Sequence, residues 1–599
     1  MTTDHDKPDA LEPDVLAANL AKIESLSQRL VAALSRQRQI DPALQGPGHD
    51  LYMKAASAYV SELMKNPSKV FEHQIGYWGK TLKHYIEAQH MLTTGKLQPP
   101  EDKTPKDRRF AGELWQTHPY FNYIKQQYLL TSDAIEKAVA DLDFLAPKDK
   151  KRLEYFSRQI VDMMSPANYL ATNPEALKKA VETEGQSLVD GLENLVRDLE
   201  EHGGDLVVTL TDKDAFRVGG NLATTPGEVV FRNRMFELIQ YAPATETVHR
   251  TPLLIFPPWI NKFYILDLSA RNSMIKWIVE QGYTLFVVSW VNPDASYADA
   301  GLDTYIEEGF LTAIEQVKQI CGEDKVNTVG YCIAGTTLSL TLALMKKRGD
   351  TSVRSATFFT TLVDFSDQGE VGVFLSDDFV DGIEEEVARS GYLDSFFMTR
   401  TFSFLRSNDL IYAPAIRSYM MGEAPPAFDL LYWNGDSTNL PARMAVEYLR
   451  GLCQSDEFAG GPGFETCGEV LSVRDVDVPI CAIACETDHI AAWKSSYRGI
   501  QKMGSRQKTF ILSQSGHIAG IVNPPAKKKY GHYTNDNVKL TPEDWREGAD
   551  FHEGSWWPRW DEWLKRRSGA QVPARQPGDA KHPPLAPAPG SYVKPEMSL

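Results

Sequence analysis

Val326-Asn327-Thr328-Val329-Gly330-Tyr331-Cys332-Ile333-Ala334-Gly335-Thr336-Thr337-Leu338 decides the fold. Its first four residues read as a buried strand, and from Thr336 onward the chain reads as a helix. Between them, Gly330-Tyr331-Cys332-Ile333-Ala334-Gly335 has the strand–turn–helix context of a nucleophile elbow, with cysteine at its apex. Such a turn holds the nucleophile in a strained backbone conformation, so its neighbours must be small; Gly330, Ala334 and Gly335 meet that need. The helix beyond aims its N-terminal N–H groups at the sulfur, which favours a thiolate and any developing oxyanion. A lone pattern of this kind fits a buried core cysteine equally well, and the rest of the chain decides between the two.

Working outward, strand-like and helix-like segments alternate. Pro252 to Phe256 is a strand, Ser273 to Gln281 a helix, Thr284 to Ser289 a strand and Tyr305 to Ile320 a helix. After the elbow and its helix, Ser355 to Thr361 is again a strand. This alternation predicts a parallel, helix-covered sheet, the α/β class. Upstream, Leu206 to Leu210 and Val229-Val230-Phe231 bracket glycine-rich turns and predict antiparallel edge strands. Residues 365–475 break the alternation with an aromatic-rich insertion containing Phe396-Phe397-Met398 and Leu430-Leu431-Tyr432-Trp433, which reads as a cap over the carboxyl ends of the strands. The sheet resumes with Val478 to Ala484 and Lys508 to Leu512.

Residues 1–204 carry apolar residues at helical spacing (Leu16 to Leu34, Leu51 to Met91, Ala134 to Met164, and a helix from Pro174 to near Glu201) without a cluster of catalytic residue types. They read as a helical packing or partner-binding domain. The division expected is therefore a helical domain over 1–204, a core over 205–364 and 476–567, the cap over 365–475, and a Pro/Ala-rich tail over 568–599, extended on the surface and partly disordered, with its last residues able to dock.

The 599 residues carry a formal net charge of −17, which argues against nucleic acid as a partner. The six cysteines show neither disulfide-dense nor zinc-like spacing, so no metal is expected, and Cys481-x-x-x-Cys485 reads as core packing. The polar, acidic N-terminus has no secretory character, and no apolar run approaches the ~20 residues needed to span a bilayer. A cytosolic, reduced setting is expected, compatible with a reactive thiol.

Two motifs complete the elbow, each just past the carboxyl end of an expected strand: Glu486-Thr487-Asp488-His489 and Ser515-Gly516-His517. The order nucleophile, acid, histidine is that of an α/β-hydrolase triad. In that reading His517 deprotonates Cys332 and Asp488 orients the imidazole; His489 is a rival base ranked below His517. Oxyanion donors are expected from the backbone N–H of Ile333 and from the loop Phe256-Pro257-Pro258-Trp259-Ile260-Asn261-Lys262, where Ile260 or Trp259 are the choices because proline has no N–H. Asp294, on the same rim, is either a pocket residue or part of an Asn-Pro-Asp turn. A thiol attacking a thioester forms another thioester at nearly equal free energy, so cysteine suits a site that passes an acyl group onward, with the aromatic cap excluding water.

Together these features resemble the polyhydroxyalkanoate synthases, specifically the class I enzymes that polymerise short (R)-3-hydroxyacyl-CoA. The resemblance rests on Asn221 to Gly227, the Pro257 to Tyr264 run, the Cys332 box, Trp433-Asn434-Gly435-Asp436-Ser437-Thr438-Asn439, and the Asp488 and His517 motifs. Ala334 stands where the family often has glycine, and Val291 where it often has arginine. The resemblance implies an α/β-hydrolase fold, catalysis by Cys332, His517 and Asp488, and substrate contacts at Asp294 and Trp433. It further implies a growing polyester held as a thioester, and no cofactor beyond the coenzyme A carried by the substrate. A homodimer at cytoplasmic polymer granules, with granule-associated proteins as possible partners, completes the expectation. Pro525-Ala526-Lys527-Lys528-Lys529 is either a contact for CoA phosphates or a solvated loop. A cysteine thioesterase on the same scaffold and a granule-coating scaffold protein are the competing readings.

Overall fold

The computed structural model describes residues 13–36, 49–65, 75–86, 107–142 and 145–594. The chain forms two compact units, one of Met1–Asp212 with Phe402–Pro426, the other of Lys213–Thr401 with Ala427–Leu599.

The first unit is helical: α1 (Pro13–Leu34), α2 (His49–Lys65), a helix over 75–86, α3 (Pro119–Ala140), α4 (Pro147–Met163), α5 (Pro174–Glu182) and α6 (Gln186–Glu201). Of the stretch with helical spacing from Leu51 to Met91, residues 51–65 and 75–86 are helical, and 66–74 and 87–91 lie outside the described residues. Proline opens α3, α4 and α5, at a position whose N–H has no helical partner anyway. Helix α1 packs along α6, burying Leu26, Ala33, Val196 and Leu199.

Leu206 to Leu210, expected as an edge strand, is not one. Buried Asp198 accepts hydrogen bonds from Thr209 N at 3.0 Å and Thr209 Oγ1 at 2.8 Å. The Pro426 carbonyl accepts from Thr211 Oγ1 and Asp212 N. Side-chain and loop acceptors therefore take backbone donors that a ladder would use. Asp198 also accepts from the Tyr419 hydroxyl at 2.8 Å. A Cβ at Gly191 would lie 2.1 Å from the Tyr419 carbonyl oxygen, so glycine permits that close approach. These contacts place Phe402–Pro426, read above as part of the insertion, with the helical unit.

The second unit is built on an eleven-stranded sheet. In chain order its strands are β1 (Gly227–Arg232), β2 (Phe236–Tyr241), β3 (Leu253–Phe256), β4 (Leu285–Trp290), β5 (Val326–Tyr331), β6 (Val353–Phe359), β7 (Ile480–Cys485), β8 (Lys508–Ser513), β9 (His532–Thr534), β10 (Asp550–His552) and β11 (Ala586–Pro587). Their order across the sheet is β10-β9-β8-β7-β6-β5-β3-β4-β2-β1-β11. From β4 to β8 neighbours are parallel, and the flanking strands are antiparallel. Every residue of β3, β4, β5 and β7 is buried, as a sheet covered on both faces requires. Helices α7 (Met274–Glu280), α8 (Ile333–Arg348), α9 (Trp493–Lys502) and α10 (Trp557–Lys565) flank it. Helix α8 is buried at every residue from Ile333 to Met345. The chain leaves β3 toward β4 on one side and returns to β5 on the other, so the loops after β3 and β5 meet at the switch point where such sheets hold their sites.

Strand β2 and the tail depart from the sequence expectation. Glu237 and Gln240 lie inside β2, fully buried, and their polarity hides the strand from a hydrophobic pattern. Both grip the tail. Glu237 accepts from Ser591 N at 2.8 Å, Ser591 Oγ at 2.7 Å, Tyr592 N at 3.0 Å and Arg232 Nε at 2.8 Å. The Gln240 amide donates to Gln576 O and accepts from Gly578 N. Over the described residues 568–594 the tail is not a loose surface segment: Gln571–Pro573 pairs with Thr247–His249, β11 pairs with β1, and Val593 is fully buried.

Candidate active site

The elbow begins with close packing that only small residues allow. A Cβ at Gly330 would lie 2.6 Å from the Gly335 Cα, and one at Gly335 would lie 2.0 Å from Thr361 Oγ1. Ala334 is fully buried, so its methyl is accommodated where the family often has glycine. Cys332 then turns at φ 55°, ψ −125°, a conformation unfavourable for a side-chain-bearing residue and held by its surroundings. Its N–H donates to Phe359 O at 2.8 Å, and its carbonyl accepts from Thr361 Oγ1 and Gly335 N. The thiol is thereby presented, partly exposed, at the first turn of α8.

His517 comes to it from the loop after β8. Its Nδ1 lies 2.7 Å from Asp488 Oδ2, and its ring is close enough to the Cys332 side chain for the sulfur to act on its charge. The second Asp488 oxygen accepts from Ile490 N at 2.8 Å and Ala491 N at 2.9 Å, which fixes the carboxylate. The two loops are joined by a bond from Thr487 N to Ser515 O at 3.0 Å. Glu486 turns away to Arg546 at 2.9 Å. Burial by itself would lower the His517 pKa, but the Asp488 charge, the Cys332 sulfur and the bond to Asp488 outweigh it and raise the imidazole to about 10. The structure therefore brings Cys332, His517 and Asp488 together, and seats His517 rather than His489 on the carboxylate.

The other thiols differ. Cys453, Cys481 and Cys485 are buried, and burial raises their pKa, as for inert core cysteines. Cys485 also explains a glycine beyond the histidine, since a Cβ at Gly520 would lie 2.4 Å from its sulfur.

The loop after β3 is held by the insertion in a way the sequence reading missed. Thr438 donates its hydroxyl to Trp259 O at 2.7 Å and its N–H to Ile260 O at 3.0 Å. The Trp433 indole donates to Lys262 O at 2.7 Å, and Asn261 Nδ2 reaches Ser437 Oγ at 3.2 Å. The Trp259 indole donates to Thr337 Oγ1 on α8 at 3.1 Å. The 433–439 motif thus clamps this loop, and only the shared presence of two distinctive motifs hinted at their contact. Trp433 is 4% exposed with its N–H committed. The Asp294 carboxylate accepts from Ser296 N and Oγ, closing a turn, and this holds its pKa below the usual range. Buried Lys262 and Tyr264 and half-buried Asp436 form a polar group beside the clamp; the Tyr264 hydroxyl donates to Asp436 at 2.9 Å.

A cysteine on an elbow after β5, a carboxylate after β7 and, bonded to it, a histidine after β8 have the arrangement of an α/β-hydrolase-fold enzyme. Comparison with known proteins agrees and goes further. The family described as "alpha/beta hydrolase fold" matches residues 252–524, and "Poly-beta-hydroxybutyrate polymerase (PhaC) N-terminus" matches residues 106–278. A poly(3-hydroxyalkanoate) polymerase of Methylorubrum extorquens is 41% identical, with 99% of this chain and 100% of that protein covered. One from Cupriavidus necator is 42% identical over 82% of this chain and 83% of that protein, and one from Rhizobium etli 39% over 97% and 92%. The chain belongs to the poly(3-hydroxyalkanoate) polymerase family of acyl-transferring enzymes. Among the described residues, no helix is long and apolar enough to cross a membrane.

Proposed function

We propose that this chain polymerises (R)-3-hydroxyacyl-CoA, with 3-hydroxybutyryl-CoA as the principal monomer, into polyhydroxyalkanoate with release of CoA. The observation that carries this reading is the placement of Cys332, on its elbow, beside a His517 that is hydrogen-bonded to Asp488, in a chain of this family. The Cys332 thiolate attacks the thioester carbonyl, a tetrahedral oxyanion forms, and the CoA sulfur leaves with a proton from the His517 imidazolium. The N–H groups of Ile333 and Ile260 receive the oxyanion; the Ile260 and Trp259 carbonyls are already committed to Thr438. The 3-hydroxyl of a further acyl-CoA, deprotonated by neutral His517, then attacks the acyl-cysteine; the Cys332 thiolate leaves, and the chain is now an ester on that acyl-CoA. Renewed attack by Cys332 on its thioester returns the lengthened chain to the enzyme, the CoA sulfur leaving with the proton from His517. Asp488 orients the imidazole and stabilises its cation. Asp294 lies at the rim that the monomer meets, and Trp433 acts on the monomer through the loop it holds. The enzyme works as a homodimer at cytoplasmic polymer granules, where the growing polyester and granule-associated proteins are its partners.

Purified protein incubated with (R)-3-hydroxybutyryl-CoA tests this: free CoA with insoluble polyester supports it, whereas free CoA with free 3-hydroxy acid defines a thioesterase. Cys332→Ala is expected to lose at least ~10³-fold of CoA release while keeping its fold. Substantial residual turnover in that variant would eliminate the covalent route.

A further inference from the structure

A groove of about 990 Å³ opens beside the catalytic histidine, and the chemistry above leaves it unused. Its lining begins at Ile518, the residue after His517, and carries the cations Arg271, Lys276, Lys527 and Lys529 against the carboxylates Glu280 and Asp429. In a chain of formal net charge −17, four cations facing two carboxylates mark a local preference for anions. Lys276 stands 3.9 Å from Glu280 and is partly neutralised. Lys527 reaches across to Asn272 Oδ1 at 3.0 Å, joining the two sides of the groove. Lys529 lies 5.9 Å from the Tyr530 ring centre. Arg271 is exposed and has no hydrogen bond or ion pair among the described residues. Trp277, half-buried, packs on Trp557 at 5.2 Å and adds an aromatic surface. Charge at the rim and an aromatic wall suit an amphiphilic anion with a flat ring system. Ile518, in the groove's lining, directly follows His517 in the chain, which sets this end of the groove next to the triad's histidine.

We propose that this groove holds the phosphorylated nucleotide end of the acyl-CoA substrate. Arg271, Lys527 and Lys529 pair with its phosphates, and Trp277 supports the adenine or the pantetheine arm that runs past Ile518. The assignment rests on the acyl-CoA reading above and deepens it. It also gives the Lys527-Lys528-Lys529 run a function that the sequence left open between a phosphate contact and a solvated loop.

The test uses the full chain carrying Arg271→Glu with Lys527→Glu. The KM for (R)-3-hydroxybutyryl-CoA is expected to rise ~10-fold with kcat little changed, while turnover of the same acyl group on N-acetylcysteamine, which lacks the nucleotide, stays at its original rate. An unchanged KM, or an equal loss with both substrates, would overturn the assignment. A second measurement needs no turnover: calorimetric binding of adenosine 3′,5′-bisphosphate to Cys332→Ala protein. Binding that is present there and lost on adding the two charge reversals supports the groove. Absence of binding, or binding indifferent to the reversals, refutes it whether or not the protein makes polymer.

Discussion

The two ends of the large sheet are held by opposite means. From β4 to β8 the strands are mostly buried and apolar; polar side chains buried within them, such as Asn327, Ser355 and Thr357, are uncharged and hydrogen-bonded to neighbouring elements. The ionisable groups Cys332, Asp488 and His517 meet in the loops beyond the carboxyl ends. At the other end, β2 buries a carboxylate and an amide inside the strand itself, and these bind the tail. The first arrangement frees the polar groups for a reaction; the second uses them up in holding the chain together. Buried polar groups thus have two different meanings in one sheet, told apart by whether their partners are complete.

The largest expected effect falls at the reacting end. Asp488→Asn keeps the acceptor that Ile490 and Ala491 require, but turns an amide N–H₂ toward His517 Nδ1 and disfavours the tautomer that faces the thiol. CoA release is expected to fall roughly 10²–10⁴-fold with KM little changed, read from steady-state kinetics. A loss confined to KM would contradict the orienting role.

Next is a pH dependence of stability. His517 in the folded protein is raised from 6.5 to about 10, so its contribution is complete below the unfolded-state value and disappears as pH rises through about 10. Thermal unfolding followed between pH 7 and 10 should show the wild-type protein losing stability more steeply than His517→Asn. Parallel curves would mean that the imidazole is not held by its neighbours.

The smallest effect sits at the opposite end. Glu237→Ala leaves the Ser591 and Tyr592 donors without an acceptor and is expected to cost about 2 kcal/mol in denaturant unfolding. Proteolysis of the tail should precede global unfolding in that variant. Equal protection in both proteins would show that the tail is anchored without Glu237, by Gln240 and the strand pairings.

The same contrast explains what the sequence disclosed. Elbow, strand–helix alternation and the positions of Asp488 and His517 were legible because each is a local pattern: a run of buried residues, then a turn, then a reactive group. Strand β2 was missed because Glu237 and Gln240 violate the apolar pattern, and their partners lie more than three hundred residues away. Leu206 to Leu210 was misread for the converse reason: its composition suits a strand, but Asp198 and Pro426 capture nearby backbone and hydroxyl donors. The role of Trp433 to Asn439 as a clamp was hidden because neither it nor the 257–262 loop has a periodic pattern, and each is completed only by the other.

That clamp restricts how the insertion can move. Trp259, Ile260 and Lys262 each give their carbonyl to the 433–439 stretch, so a swing of the whole insertion away from the sheet would tear loose the peptide that presents Ile260. Movement of the insertion is therefore left to its other segments, with these few residues staying behind as a fixed post. On the proposed mechanism, an opening that dislodged them would bare Cys332 while taking away the Ile260 N–H that is to steady the oxyanion.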